Sequence, residues 1–158
     1  MKNPITNHIG ILLAVLIIPC LLTACMSGRS KEPEEVVELF DDSWIMEKYF
    51  RNIDGYDKVE YEQVYFDWHD RLAVGPTDYR YRGVICFTDE QAAALMDKYE
   101  WEQMSAAPSF EFGKVDKSAI SEGPWYSSNA FTKDNLPTVD VAYAVFDGKV
   151  LVFDFRQY

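Results

Sequence analysis

Basic residues are in short supply in this chain of 158: 15 Lys and Arg stand against 26 Asp and Glu, for a formal charge of −11. That balance excludes nucleic acid as a partner, because such binding draws its affinity largely from Lys and Arg displacing counterions from phosphates, and it excludes attachment to anionic lipid through a basic patch. Cysteine numbers three and histidine two. A zinc centre of the usual kind gathers three or four His, Cys or carboxylate ligands, so a single histidine in the body of the chain, His69, is a poor start for one. No metal and no other cofactor is expected. The signatures of activated nucleophiles, G-x-S-x-G, S-x-x-K and H-E-x-x-H, are missing, as are a glycine-rich phosphate loop and a D-x-D-x-D-G calcium loop. Against these absences stand 48% apolar and 15% aromatic residues, too hydrophobic a composition for a disordered chain, in a length that suits one domain.

Residues 1 to 24 carry no acidic and no aromatic side chain. Lys2 is followed by an apolar run from Ile9 to Leu22, interrupted at Pro19 and Cys20 and short of the clean stretch of about 20 residues that spans a bilayer. The run ends in Leu22-Thr23-Ala24-Cys25, which resembles the lipobox of bacterial lipoprotein precursors. The resemblance covers only the first 25 residues, and it implies that the Cys25 thiol takes a diacylglyceryl group and that the bond before it is cut. Each buried lipid CH₂ contributes about 0.8 kcal/mol, so two or three chains on one cysteine hold a protein at a membrane almost permanently. On this reading residues 1–24 are a signal peptide, 25–35 are the lipidated cysteine with a polar tether, and 36–158 are one domain tethered outside the bilayer. The expected place is the outer face of a bacterial cytoplasmic membrane or the periplasmic side of the envelope. Met26 occupies the position at which an Asp commonly signals inner-membrane retention in the resembling class. Cys86 is then the remaining thiol, no intramolecular disulfide can form, and its apolar neighbours Val84, Ile85 and Phe87 suit a small core residue.

Val36, Val37, Phe40 and Trp44 fit a helix from Val36 to Phe50, which Asp41-Asp42-Ser43 can break in two. Lys58 to Phe66 alternates as a half-buried strand does, and Asp78 to Phe87 reads likewise, with Gly75-Pro76-Thr77 as a turn between them. Thr88 with Gln91 forms a capping box ahead of Ala92, Leu95, Met96 and Tyr99, predicting a helix. Trp101 to Met104 and Phe110 to Phe112 are candidate short strands, and Ser127 to Asn135 a short helical turn. Val139 to Phe146 and Lys149 to Phe155 flank Asp147-Gly148, a strong hairpin signal. The predicted pairs are Val145 with Val150, Tyr143 with Val152, and Ala144 with Leu151, with Leu151 and Phe153 in the core. The fold class that follows is α+β: an antiparallel sheet of about four or five strands with helices on one face, ending in that hairpin.

Asp67-Trp68-His69-Asp70 sets an imidazole between carboxylates, but neighbours on an extended strand point to opposite faces and do not by themselves make a site. Trp125 and Tyr126 follow Gly123-Pro124, where they either grip a sugar ring or peptide from solvent or, with Trp125 turned inward, plug the end of the core. Arg80 and Arg82 share one side of a strand and form a fork pair suited to a carboxylate or phosphate ligand. The alternative pairs them across the sheet with Glu60 and Glu62 at solvent-facing positions, each pair worth about 0.2 to 1 kcal/mol. The sequence therefore reads as a lipid-anchored envelope protein with a non-enzymatic binding or interaction domain for a protein or glycan. A small hydrolase using carboxylates with His69, or an immunity-type inhibitor whose acidic surface steers a basic toxin, are the alternatives.

Overall fold

A computed structural model of the chain describes residues 32–67 and 78–157, with Val141 described by its backbone alone. The signal segment, Cys25, His69 and the Gly75-Pro76-Thr77 turn lie outside the described residues. Seven strands run in chain order as β1 (Glu34–Phe40), β2 (Lys58–Asp67), β3 (Tyr79–Cys86), β4 (Glu102–Gln103), β5 (Tyr126–Ser127), β6 (Val141–Phe146) and β7 (Val150–Gln157). They form one sheet in the order β1-β2-β3-β7-β6-β5-β4, and every neighbouring pair is antiparallel. Three helices accompany it: α1 (Trp44–Tyr49), α2 (Asp89–Lys98) and α3 (Asn129–Asn135). None of the described helices is long and apolar enough to cross a membrane.

The α+β class holds, but the sheet has seven strands where four or five were expected. The main reason is the segment from residue 36, read as helix. Val36, Val37 and Phe40 fit a helical stripe, yet their β-branched and aromatic side chains also suit a strand, and a ready partner in β2 decides between the two. The register runs from Glu34 opposite Asp67 to Phe40 opposite Tyr61, so the strand starts inside the stretch read as tether. Helix begins only after Asp41-Asp42-Ser43, where the Trp44 N–H donates to Asp42 Oδ1 at 3.1 Å. The Phe110 to Phe112 strand does not form, and β5 was not foreseen. By contrast α2 begins as predicted, with the reciprocal Thr88 and Gln91 capping bonds both present.

Side chains of one sheet face meet all three helices. Tyr61, Ile85, Leu151, Phe153 and Phe155 pack there against Ile45 and Phe50, Ala92 and Leu95, and Phe131. The opposite face, the back face, carries a smaller cluster of Val84, Val145, Val150, Val152, Val115 and Trp125. No helix covers it. Residues 104 to 125 lie over it instead, as an irregular strap without strand or helix.

The C-terminal hairpin forms with its pairing moved on by two residues: Val145 faces Val152, Ala144 faces Phe153 and Tyr143 faces Asp154. The cause is local. Asp147 Oδ1 accepts the N–H groups of Lys149 and Val150, at 2.8 and 2.6 Å, so the aspartate closes the turn from outside. Gly148, with φ of +95°, then takes the first central position, where a type II′ turn favours glycine. An even shift leaves every side chain on its face, and Leu151 and Phe153 are fully buried as expected.

Candidate functional site

The back face is where charge and cavity coincide. Directly opposite one another across β1, β2, β3, β7 and β6 stand Leu39, Glu62, Arg82, Asp154 and Tyr143. Residues opposite in register share a face, so this row brings a carboxylate, a guanidinium, a second carboxylate and a phenol together. Arg82 faces both acids and binds Glu62, Nε to Oε2 at 2.7 Å. Asp154 is taken diagonally by Arg80 through two parallel bonds, Nε to Oδ1 at 2.8 Å and Nη2 to Oδ2 at 2.5 Å.

The strap is fastened through the first of these pairs. Glu62 Oε1 accepts the backbone N–H groups of Lys114 and of Val115, the latter at 2.8 Å, while Glu60 Oε1 accepts that of Asp116 at 2.6 Å. Lys114 Nζ reaches the Val37 carbonyl at 2.8 Å. The strap's ends are tied to each other where the Met104 N–H donates to the Trp125 carbonyl at 2.8 Å. Burial alone would raise the Glu62 carboxyl, but the donors at Lys114, Val115, Gly113 and Arg82 outweigh it and hold it below the usual range.

Between the strap and the sheet lies a cavity of about 430 Å³, within the size range of small-molecule sites. Its floor includes Arg80, Asp154, Tyr143 and Val152, and Met104, Phe110, Glu111 and Phe112 contribute its wall. Phe110 and Phe112 stack nearly parallel, with centroids 6.0 Å apart, and Phe110 meets Trp125 edge-on at 5.1 Å. The bonds to Asp154, and beyond them Glu111 and Glu35, keep Arg80 firmly charged. Burial, then the nearby Asp154 charge, raises the Tyr143 phenol and keeps it neutral, and its buried hydroxyl has no hydrogen-bond partner.

The residues singled out from the sequence are dispersed by this geometry. Arg80 lies in the cavity floor, whereas Arg82 is buried beneath the strap, 8% exposed, against a Glu62 with no exposure at all. The expected Glu62–Arg82 pair exists, but it is buried and not solvent-facing. The expected partners of Arg80 are engaged elsewhere, since Glu60 takes Lys58 Nζ at 3.0 Å in addition to Asp116. Both guanidinium forks have internal carboxylates, so neither is left open to an anionic ligand.

Trp125 is turned inward, 3% exposed in the back-face cluster, so it offers no ring for stacking. Tyr126 is half-buried opposite Phe146, whose ring belongs to the helical-face core, so the two rings do not form one platform. Tyr143, Asp154, Phe110, Glu111 and Phe112 were missed. The available signal was a tyrosine and an aspartate on a hairpin face whose other members, apart from Arg156, are valines. Cys86 is half-buried, and burial raises its thiol. Among the described residues no group of three or more His, Cys, Asp or Glu is placed to hold a metal ion. No protein family matches the chain, and comparison with curated proteins and with solved structures finds no match.

Proposed function

We propose that the chain is a lipid-anchored bacterial envelope protein whose domain binds a small ligand in the back-face cavity. The observation that carries the binding reading is a cavity of about 430 Å³ walled by a strap that is fixed at both ends, in which Arg80, Asp154 and Glu111 stand among apolar side chains such as Met104, Phe110, Phe112 and Val152. Ligand sites are typically of this kind: largely preformed, mostly apolar, with a few placed polar groups. The anchoring part of the reading is supported by the Leu22-Thr23-Ala24-Cys25 sequence.

Ala107→Trp tests the site, because Ala107 lines the cavity from an exposed stretch of the strap and an indole there fills it. Full-length wild-type and variant proteins are incubated with envelope extract, washed and denatured, and the released small molecules are identified by mass spectrometry. A compound carried by wild type and lost from the variant supports the reading. Equal recovery from both proteins, or no compound from either, overturns it.

A further inference from the structure

The cavity's charge is not balanced. Two carboxylates, Asp154 and Glu111, line it against one guanidinium, Arg80. Arg80 is already bound on two of its N–H groups by Asp154, whereas Glu111 acts on Arg80 only through space and makes no hydrogen bond or ion pair among the described residues. An incoming anion would have to displace Asp154 from a bidentate pair and then sit beside two carboxylates. An incoming cation meets acceptors already in place: the spare lone pairs of Asp154 and the carboxylate of Glu111. The aromatic wall favours the same sign of charge, since ring faces attract ammonium groups. Phe112 shows this attraction on a face that is already taken, with Lys117 Nζ 5.9 Å from its ring centroid, and Phe110 adds a second ring to the wall.

From this we infer that the cavity takes a small organic ammonium compound, its charged head held by Glu111 and Asp154 and its apolar body against Phe110, Phe112 and Val152. The inference rests on the cavity being a ligand site, as proposed above, and adds the chemistry of the ligand.

Four probes with one phenylethyl body isolate the charge: 2-phenylethylammonium, phenylalanine as the zwitterion, 3-phenylpropanoate and 2-phenylethanol. Each is titrated calorimetrically into the full chain held in non-ionic detergent. The ammonium probe is expected to bind at least tenfold more tightly than the anion or the alcohol. Glu111→Gln, a change at an exposed position that should fold normally, is expected to weaken it about tenfold, the order of one charge-assisted hydrogen bond. Asp154→Asn uncovers Arg80 and is expected to turn the preference toward 3-phenylpropanoate. Tighter or equal binding of the anion or alcohol overturns the ammonium assignment, as does an ammonium affinity unchanged by Glu111→Gln. If one of those other probes binds and Ala107→Trp abolishes it, the cavity remains a ligand site and only its charge preference is wrong. If no probe binds, or binding survives Ala107→Trp, both inferences fall.

Discussion

Glu62 and Arg82 face each other across β2 and β3 and bond at 2.7 Å, in a place where the Glu62 side chain has no contact with water. Breaking a buried pair from one side strands the other charge, at a cost of about 3 to 5 kcal/mol. Glu62→Gln is therefore expected to lose about that much in denaturant unfolding and to loosen the strap as well. Arg82→Ala should lose less, because the backbone N–H groups of Lys114 and Val115 still hold the carboxylate. The pH dependence has a definite sign. Glu62 lies below its ordinary value of 4.5 when folded, so its contribution is complete above that value and is lost as pH falls through the folded value. Glu62→Gln should flatten the acid limb of stability against pH.

Gly83 is opposite Tyr61, and a Cβ there would fall 2.6 Å from Tyr61 Cβ and closer still to the Glu60 carbonyl oxygen. The approach is of backbone and Cβ, and the Tyr61 ring itself stacks on Phe40 of the opposite neighbour strand at 5.3 Å and on Trp44 at 6.4 Å. Alanine in a strand ordinarily improves on glycine. Here Gly83→Ala should destabilise by about 1 to 3 kcal/mol, the cost of overpacking, as measured by the midpoint of urea unfolding.

Phe153 is fully buried, with Phe50 5.0 Å away and Phe155 5.8 Å away, ring to ring. Phe153→Ala should cost about 3 to 5 kcal/mol in denaturant unfolding. Ala144 directly opposite cannot fill the space left.

Burial raises the phenols of Tyr49 and Tyr81 to about 12, and burial followed by the bond to Asp134 does the same for Tyr99. Unfolded, each would ionise near 10. The stability they contribute is thus complete below pH 10 and is lost as pH rises through about 12. A phenolate absorbance titration should show these three ionising late, together with loss of tertiary structure. Early, reversible ionisation of all ten tyrosines would contradict this.

Replacement of Cys25 by Ala should leave a precursor that is neither lipidated nor cut before residue 25. Intact mass spectrometry of the wild-type protein should find a chain beginning at a modified Cys25. A mature chain starting elsewhere would remove the lipoprotein reading.

Local signals specify their elements wherever the physics is local. The Thr88 capping box and the alternation of Lys58 to Phe66 each specify their element through near neighbours, and the structure has both. Val36 to Phe40 went the other way, because its helical spacing was real but the deciding partner, β2, lies some twenty residues downstream. Asp147 shows a subtler limit, in that its side chain takes two backbone donors and moves the turn on by one residue while Asp-Gly still marks the right place. The site was least legible of all. Arg80 and Asp154 are 74 residues apart in sequence, and Phe110, Glu111 and Phe112 join them from a strap whose path no periodicity announces.

That strap contributes no rung to the ladder between Gln103 and Tyr126. Its length is accordingly uncoupled from strand register, and each doubling of a flexible loop costs only about 0.6 kcal/mol of closure entropy. Insertions or deletions among residues 105 to 109, between the tie at Met104 and the carboxylate anchor at Glu62, would reshape the cavity wall while every strand kept its partner. The architecture separates the part whose pairing is fixed, the seven-stranded platform, from a part free to vary, so that closely similar platforms can carry cavities of different shape.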